Sequence, residues 1–289
     1  MDQAGGMVAG RVGIVGLGLM GGSFAKAFSS AGHEVYAWNR TESVLDLAMI
    51  EDVTGRLGES TIPTCELIIL CLYPAACVSW LQEHADAISD GAVVIDTAGV
   101  KRVVCKGCYE TAKGRSWSFC GAHPMAGTQY SGYAHSRANM YHGAPMVLCP
   151  DPDLDPVDAL ALCDRLEELL EPCGFERYSV TTPEEHDRLI AFTSQLAHVV
   201  SNAYVKSPTA QAHQGFSAGS YKDLTRVARL NPGMWSELFL DDADNLSFEI
   251  GQIIDELKRY KRAIDDDDSE TLTALLAEGD RLKREAEKR

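Results

Sequence analysis

Two short segments contain the residues best suited to chemistry. Gly16-Leu17-Gly18-Leu19-Met20-Gly21 directly follows an apolar run, and residues 121–128, which include His123, lie about a hundred positions further on. Glycines at this spacing allow a tight turn, close approach of the backbone to a pyrophosphate and close packing of the next helix. A histidine, with a pKa of about 6.5, can accept a proton at neutral pH. The first segment predicts nucleotide binding and the second predicts proton transfer.

The surroundings of the glycine motif strengthen its interpretation. The sequence predicts a strand over residues 11–15, a helix over 20–30 and a second strand over 34–38. A lone motif of this kind could be an ordinary glycine turn, but the strand–turn–helix context is typical of a dinucleotide site. Phosphate would then bind the free amides of the helix N-terminus. The residues expected to contact the cofactor here are Gly16, Gly18, Leu19, Met20 and Gly21.

The end of the second predicted strand bears on the choice of cofactor. The acidic residue that would bind a ribose 2′-hydroxyl is replaced by Asn39-Arg40-Thr41. An arginine can pair with a 2′-phosphate, whereas a carboxylate would repel it, so the segment slightly favours NADP over NAD. Two alternatives stay open: Arg40 could be an ordinary surface residue, and Asn39 could still bond a 2′-hydroxyl.

Composition limits the classes of function. The chain has 289 residues, of which 45% are hydrophobic, and a formal net charge of -16. This size suits two domains, and this charge argues against nucleic acid or an anionic membrane as a partner. No apolar run is long enough for a membrane span and no signal-peptide pattern is visible, so we expect a cytoplasmic protein that binds a small molecule.

The nine cysteines predict neither disulfides nor a metal site. Several occur in or beside predicted buried strands, where cysteine behaves as a small hydrophobic residue. Cys105 and Cys108 have a suggestive spacing, but the sequence offers no second pair of ligands at a suitable distance. We therefore expect no metal.

Apolar runs alternate with helical patterns up to about residue 180, whereas the chain beyond Pro183 shows helical periodicity with few strand signals. Such alternation is typical of a mostly parallel sheet flanked by helices. We predict a Rossmann-type α/β nucleotide-binding domain over residues 8–181 and an all-helical domain over 182–289. The predicted strands cover residues 12–15, 35–38, 67–72, 93–96, 118–120, 146–148 and 175–180.

The helix predicted to begin at Pro183 has an unusual polar seam. Ser194, Gln195, His198 and Asn202 recur at three- and four-residue spacing, so they share one face of an otherwise apolar helix. A binding surface is one interpretation. A satisfied core network or simple solvent exposure is an equally weighted alternative.

Taken together, several motifs resemble those of the prephenate dehydrogenase family. They are the glycine motif, residues 121–128 followed by Ser131-Gly132, residues 185–187, residues 194–198, residues 222–226 and residues 232–235. The resemblance implies a Rossmann-type domain, a helical domain that forms a homodimer, and NAD(P)-dependent oxidative decarboxylation. The substrate would be prephenate, giving 4-hydroxyphenylpyruvate, or arogenate, giving tyrosine, in tyrosine biosynthesis.

The resemblance also implies roles for individual residues. His123 matches the family's catalytic histidine, and its neutral imidazole suits removal of the proton from the ring hydroxyl. Arg226 matches the arginine that binds the substrate carboxylate, although an ion pair with Asp223 is the alternative. Lys101 ends a motif that we expect beside the cofactor. The further positions expected at the substrate are His198, Gln195 and Gln129.

Three positions depart from the family pattern. Gly99 stands where the family usually has a serine whose hydroxyl bonds the catalytic histidine. Loss of that hydrogen bond could raise the activation barrier by about 1.5 to 3 kcal/mol unless Thr97 or a water substitutes. Gln195 replaces a frequent histidine, and Gln129 replaces a glutamate found in some members. Two rival functions therefore stay open: a β-hydroxyacid-dehydrogenase-like oxidoreductase and a non-catalytic nucleotide-binding homologue.

Overall fold

A computed structural model describes residues 6–128, 130–213 and 215–288, without the side chain of Gln211. Its first part is one sheet of eight strands in the order β3-β2-β1-β4-β5-β6-β7-β8. All neighbouring strands pair in parallel except β6 and β7, which are antiparallel. The strands are β1 (Val12–Val15), β2 (Val35–Trp38), β3 (Gly55–Arg56), β4 (Leu67–Leu70), β5 (Val93–Asp96), β6 (Ser118–Pro124), β7 (Pro145–Pro150) and β8 (Arg177–Val180).

Helices cover both faces of this sheet, which explains why β1, β4 and β5 are buried along their whole length and, apart from Asp96 at the end of β5, apolar. One core cluster contains Phe24, Phe28 and Tyr141, and the other contains Trp80, Leu81 and Phe119. The helices of this part are α1 (Leu19–Ser30), α2 (Glu42–Glu51), α3 (Pro74–His84), α4 (Arg102–Ala112) and α5 (Pro156–Leu169).

After β8 the described chain is helical. Thr182 caps the first helix by accepting a hydrogen bond from the Glu185 amide, and a π-helical segment, Ala191–Leu196, interrupts the predicted continuous helix. No described helix is long and apolar enough to cross a membrane. The helices are α6 (Pro183–Ile190), α7 (Ala197–Tyr204), α8 (Gly219–Thr225), α9 (Pro232–Asp241), α10 (Ala243–Asp265) and α11 (Ser269–Ala286).

The predicted fold class is confirmed, and the differences are shifted element ends, one short strand and the π-helical interruption. Strand β6 extends four residues beyond the predicted strand because it pairs with β7 over Cys120 to Pro124. His123 therefore lies within a strand rather than in the loop that the sequence suggested. The two-residue strand β3 was not predicted, because a segment this short carries no periodic signal.

Candidate active site

The glycine loop forms a cradle open to a phosphate. Gly16 has φ +98°, and a Cβ there would lie 2.6 Å from the carbonyl oxygen of Cys71. A Cβ on Gly21 would collide with the carbonyl oxygen of Gly16, so only glycine lets α1 start this close to β1. Gly18, in contrast, has no atom within 4 Å of its Cβ position and caps α1 without a side-chain hydrogen bond. Open space beside unsatisfied helix amides fits a dinucleotide pyrophosphate.

Asn39 holds this loop in place. Its Oδ1 accepts a hydrogen bond from the Leu17 amide at 2.9 Å, and its Nδ2 donates to the carbonyl of Thr41 at 3.0 Å. Arg40 is exposed beside it and forms no ion pair with any described residue, while the nearby Glu42 pairs with Arg56. The segment therefore presents one exposed guanidinium at the end of β2.

Lys101, which the sequence predicts beside the cofactor, takes part in a buried ion pair. The side chain is completely buried and its Nζ pairs with the equally buried carboxylate of Asp96. Asp96 also accepts hydrogen bonds from the amides of Ala98, at 2.8 Å, and Ala122, at 3.1 Å. A buried ammonium requires such a partner, and here the pair ties the loop after β5 to strand β6.

His123 is joined to two residues of α6 in a hydrogen-bonded series. Its Nδ1 lies 2.9 Å from Nε2 of His186, and Nδ1 of His186 lies 2.7 Å from Oδ1 of Asp187. His186 and Asp187 are buried, whereas His123 is partly exposed. The sequence motif over residues 185–187 contains His186 and Asp187 but does not by itself indicate a role for either residue.

The surroundings of His123 keep its ring neutral. Burial lowers the pKa of His123 well below 6.5, and the neighbouring His186 and Lys101 lower it further. Burial also lowers the pKa of His186, against the opposing effect of its hydrogen bond to Asp187. His123 lies near the carboxyl end of β6, on the same edge of the sheet as the glycine loop that follows β1. A neutral imidazole is a competent proton acceptor at physiological pH.

Asp187 also connects the two parts of the chain. Its carboxylate accepts hydrogen bonds from the backbone amides of Lys101, at 2.6 Å, and Arg102, at 2.8 Å, which begin helix α4. The Arg102 guanidinium continues the network to Asp242, at 2.7 Å, and to Asp244. Burial raises the pKa of Asp242 to about 6.

Gln195 belongs to this network. Its side chain is 2% exposed and its Nε2 donates to Oδ2 of Asp242 at 3.2 Å. Its Oε1 is buried and has no hydrogen-bond partner among the described residues, so a contact between Gln195 and the substrate stays a prediction.

His198 and Arg226 lie together on the helical side. Nδ1 of His198 donates to the carbonyl of Val227 at 3.1 Å, and none of the described residues bonds its Nε2. Its ring packs on Trp235 with 4.0 Å between centroids. Burial lowers the pKa of His198, and the charge of Arg226 contributes to this shift. Arg226 is exposed and forms no ion pair with Asp223, although both residues are described. Trp235 was quoted only as part of a motif.

The loop containing Gly99 faces this helical group. A Cβ on Gly99 would meet Leu238 of α9 at 3.5 Å, an ordinary contact, and Gly99 does not have a positive φ. Leu238 lies three residues after Trp235, hence on the same side of α9. This loop therefore lies against α9, while Asp96 at its start bonds the Ala122 amide of β6. Gln129, the remaining substrate candidate, lies outside the described residues.

The fold and the glycine cradle define a dinucleotide-dependent oxidoreductase, and His123 is the candidate base. Two family models assign it more closely: the prephenate dehydrogenase nucleotide-binding domain matches residues 24–176, and the prephenate dehydrogenase dimerization domain matches residues 182–278. The chain belongs to the prephenate dehydrogenase family.

Individual relatives agree with this assignment. Cyclohexadienyl dehydrogenase of Zymomonas mobilis is 28% identical over 94% of this chain and 94% of its own length. The crystal structure of Synechocystis arogenate dehydrogenase is 27% identical, with a TM-score of 0.77, and covers 95% of this chain and 99% of its own. Aquifex aeolicus prephenate dehydrogenase, crystallised with hydroxyphenyl propionate and NAD+, is 26% identical, with a TM-score of 0.79, over 97% of this chain and 99% of its own.

Proposed function

We propose that this protein catalyses the NAD(P)-dependent oxidative decarboxylation of prephenate, or of arogenate, in tyrosine biosynthesis. The observation that carries the proposal is a neutral His123 on the sheet edge that carries the glycine loop, within a chain that both family models match. The bound nicotinamide supplies the acceptor for the hydride that leaves the hydroxyl-bearing ring carbon.

The chain's own residues transfer the proton and bind the substrate's carboxylate. Nε2 of His123 takes the ring hydroxyl's proton as that carbon becomes carbonyl-like. The ring carboxylate then leaves as CO2, and the electron pair of the broken C–C bond makes the ring an aromatic phenolate, whose oxygen takes the proton back from His123. Arg226 binds the remaining carboxylate, because a guanidinium matches a carboxylate with two parallel hydrogen bonds. His198 lies close enough to Arg226 for the charge of Arg226 to lower its pKa, and we propose that it contacts the same substrate.

The glycine loop holds the cofactor through the backbone of Gly16, Gly18 and the first turn of α1. We further propose a preference for NADP over NAD. An exposed Arg40 with no partner among the described residues supports it, since a 2′-phosphate would supply the missing anion. Asn39 supports the site indirectly by bracing Leu17.

The deciding experiment is a steady-state assay of prephenate and arogenate, each with NAD and with NADP. His123→Asn is the control, and its kcat should be lower by about a hundredfold or more, with cofactor affinity nearly unchanged. Absence of turnover with all four combinations would refute the proposal. A variant that keeps most of its activity would show that another residue is the base.

We also propose that the protein is a homodimer formed through its helical part. Large apolar side chains are exposed on α9 and α10, including Leu240, Phe248, Leu257 and Ile264, each at least 60% exposed. Single exposed apolar residues are common, but a run along one helix is typical of an interface. The matching family model is itself that of a dimerization domain.

A further inference from the structure

The hydrogen bonds around His123 determine which of its two ring nitrogens is basic. We infer that His186 and Asp187 are positioning residues that hold His123 in the Nδ1–H form, so that its Nε2 carries the lone pair that accepts the substrate's proton. This inference rests on the proposed function for its catalytic meaning, but its structural content can be tested without any substrate.

The assignment starts from Asp187, because a carboxylate only accepts hydrogen bonds. The 2.7 Å contact therefore requires a hydrogen on Nδ1 of His186. In a neutral imidazole the other nitrogen is then an acceptor. Nε2 of His186 must accept across its 2.9 Å contact, so Nδ1 of His123 is the donor. The remaining nitrogen of His123, Nε2, is left with a lone pair.

Both rings must be neutral for this assignment to hold, and the surroundings favour that state. Burial lowers the pKa of each histidine, so neither carries a stable proton at neutral pH. If both rings were charged, two N–H groups would face each other across 2.9 Å. The geometry thus permits one donor and one acceptor at this contact.

Asp187 stays ionised because it is held from several sides. Burial works to raise its pKa, but hydrogen bonds from His186 and from the amides of Arg102 and Lys101 outweigh this effect and keep the pKa below its usual value. Those amides form the first turn of α4, where the helix dipole favours an anion. The residue that sets the His123 tautomer is therefore fixed by the nucleotide-binding part of the chain, although it lies in α6.

Asp187→Asn tests the series directly. The asparagine amide can donate to Nδ1 of His186, which moves the hydrogen of His186 to Nε2 and forces His123 to accept at Nδ1. Its Nε2 then carries the hydrogen and is no longer a base. The corresponding change in an Asp–His–Ser triad lowers kcat by about 10⁴-fold, and we expect about 10² to 10³-fold here because one more ring intervenes. Glu184→Gln, an exposed acid-to-amide change on the same helix, is the matched control and should keep its activity.

Two substitutions of His186 separate the hydrogen-bond role from simple packing. Glutamine can place an oxygen near the position of Nε2 and accept from His123, whereas asparagine reaches only the position of Nδ1 and leaves His123 without an acceptor. His186→Gln should therefore keep kcat at least about tenfold higher than His186→Asn. Equal losses in the two variants would overturn the inference.

Nitrogen-15 NMR of the histidine rings shows which ring nitrogen is protonated, and this measurement does not depend on turnover. In the unmodified protein, His123 should show a protonated Nδ1 and an unprotonated Nε2, and Asp187→Asn should reverse them while cofactor affinity changes little. A protonated Nε2 in the unmodified protein would overturn the inference even if the enzyme is active. If the expected tautomer is found but neither prephenate nor arogenate is oxidised, the proposed function fails and the assignment of the tautomer stands.

Discussion

At the scale of single residues, the crowded setting of His123 predicts how the rate depends on pH. Burial, His186 and Lys101 all lower its pKa below 6.5. A base with a lowered pKa is already unprotonated at neutral pH and becomes protonated only in more acidic solution. We expect kcat/KM to be independent of this group above about pH 6.5 and to fall as the pH drops well below that value. A pH profile of kcat/KM that falls at or above pH 7 would contradict this expectation.

Arg226 offers a test of substrate binding that is separate from proton transfer. Because the guanidinium is exposed and has no ion pair with Asp223, its removal leaves no buried charge behind. Arg226→Ala should raise KM for the anionic substrate by about tenfold or more and change kcat much less, since a remote carboxylate contact contributes mainly uniform binding. Arg229→Ala, an exposed arginine nearby, is the control. A change in KM below about threefold would remove Arg226 from the substrate site.

Gly99 is the position where this chain loses a side chain that its family usually has. The structure offers no steric objection to restoring it, because φ is not positive and a Cβ would meet Leu238 at 3.5 Å. The hydroxyl of Thr97 lies 3.4 Å from the carbonyl of Leu70 and is directed there. We therefore expect Gly99→Ser to increase kcat by up to about tenfold to a hundredfold, equivalent to about 1.5 to 3 kcal/mol of barrier.

Gly99→Ala is the matched control for that substitution, because it adds the Cβ without the hydroxyl. Its kcat should equal that of the unmodified protein. If alanine and serine have the same effect, then the hydroxyl is not what this position lacks, and an ordered water already supplies the bond.

At the scale of elements, two glycines in the loop between β1 and α1 have different roles, one in folding and one in cofactor binding. A Cβ on Gly21 would strike the Gly16 carbonyl, whereas a Cβ on Gly18 would point into open space. Gly21→Ala should destabilise the protein by about 1 to 3 kcal/mol, as overpacking does. Gly18→Ala should leave the melting temperature without cofactor unchanged and weaken cofactor binding by at least about tenfold, because a methyl group would occupy space needed by the pyrophosphate. Thermal melts and cofactor titrations of both variants would show whether these two effects separate.

Most elements could be predicted from the sequence because their signals are local. The strand–glycine–helix order of the first unit and the buried apolar strands followed from patterns within a few residues. The directions of side chains could not be predicted in this way. Lys101 pairs with Asp96 and Gln195 bonds Asp242, and each of these partners lies on another element or far away in the sequence. The positions of His186 and Asp187 depend on how α6 docks against β6 and α4, which no periodicity encodes.

At the scale of the whole molecule, the C-terminal helices indicate how two chains would associate. Ile254, Leu257 and Ile264 on α10 are exposed and recur at spacings of three and seven residues, so they form one apolar stripe. Each chain also carries a formal net charge of -16, so charge repulsion opposes the association that this stripe favours.

One experiment can show whether the apolar stripe or the net charge controls dimer formation. Leu257→Glu places a carboxylate in the stripe and should raise the dissociation constant of the dimer by at least about tenfold. Lys258→Glu adds more negative charge at the adjacent, more polar position and should leave the protein dimeric. Rising salt screens the repulsion and should tighten the dimer of the unmodified protein. Sedimentation analysis at two salt concentrations would measure all three. If Lys258→Glu dissociates the dimer as strongly as Leu257→Glu does, net charge rather than the stripe controls assembly, and the interface must lie elsewhere on the helical part.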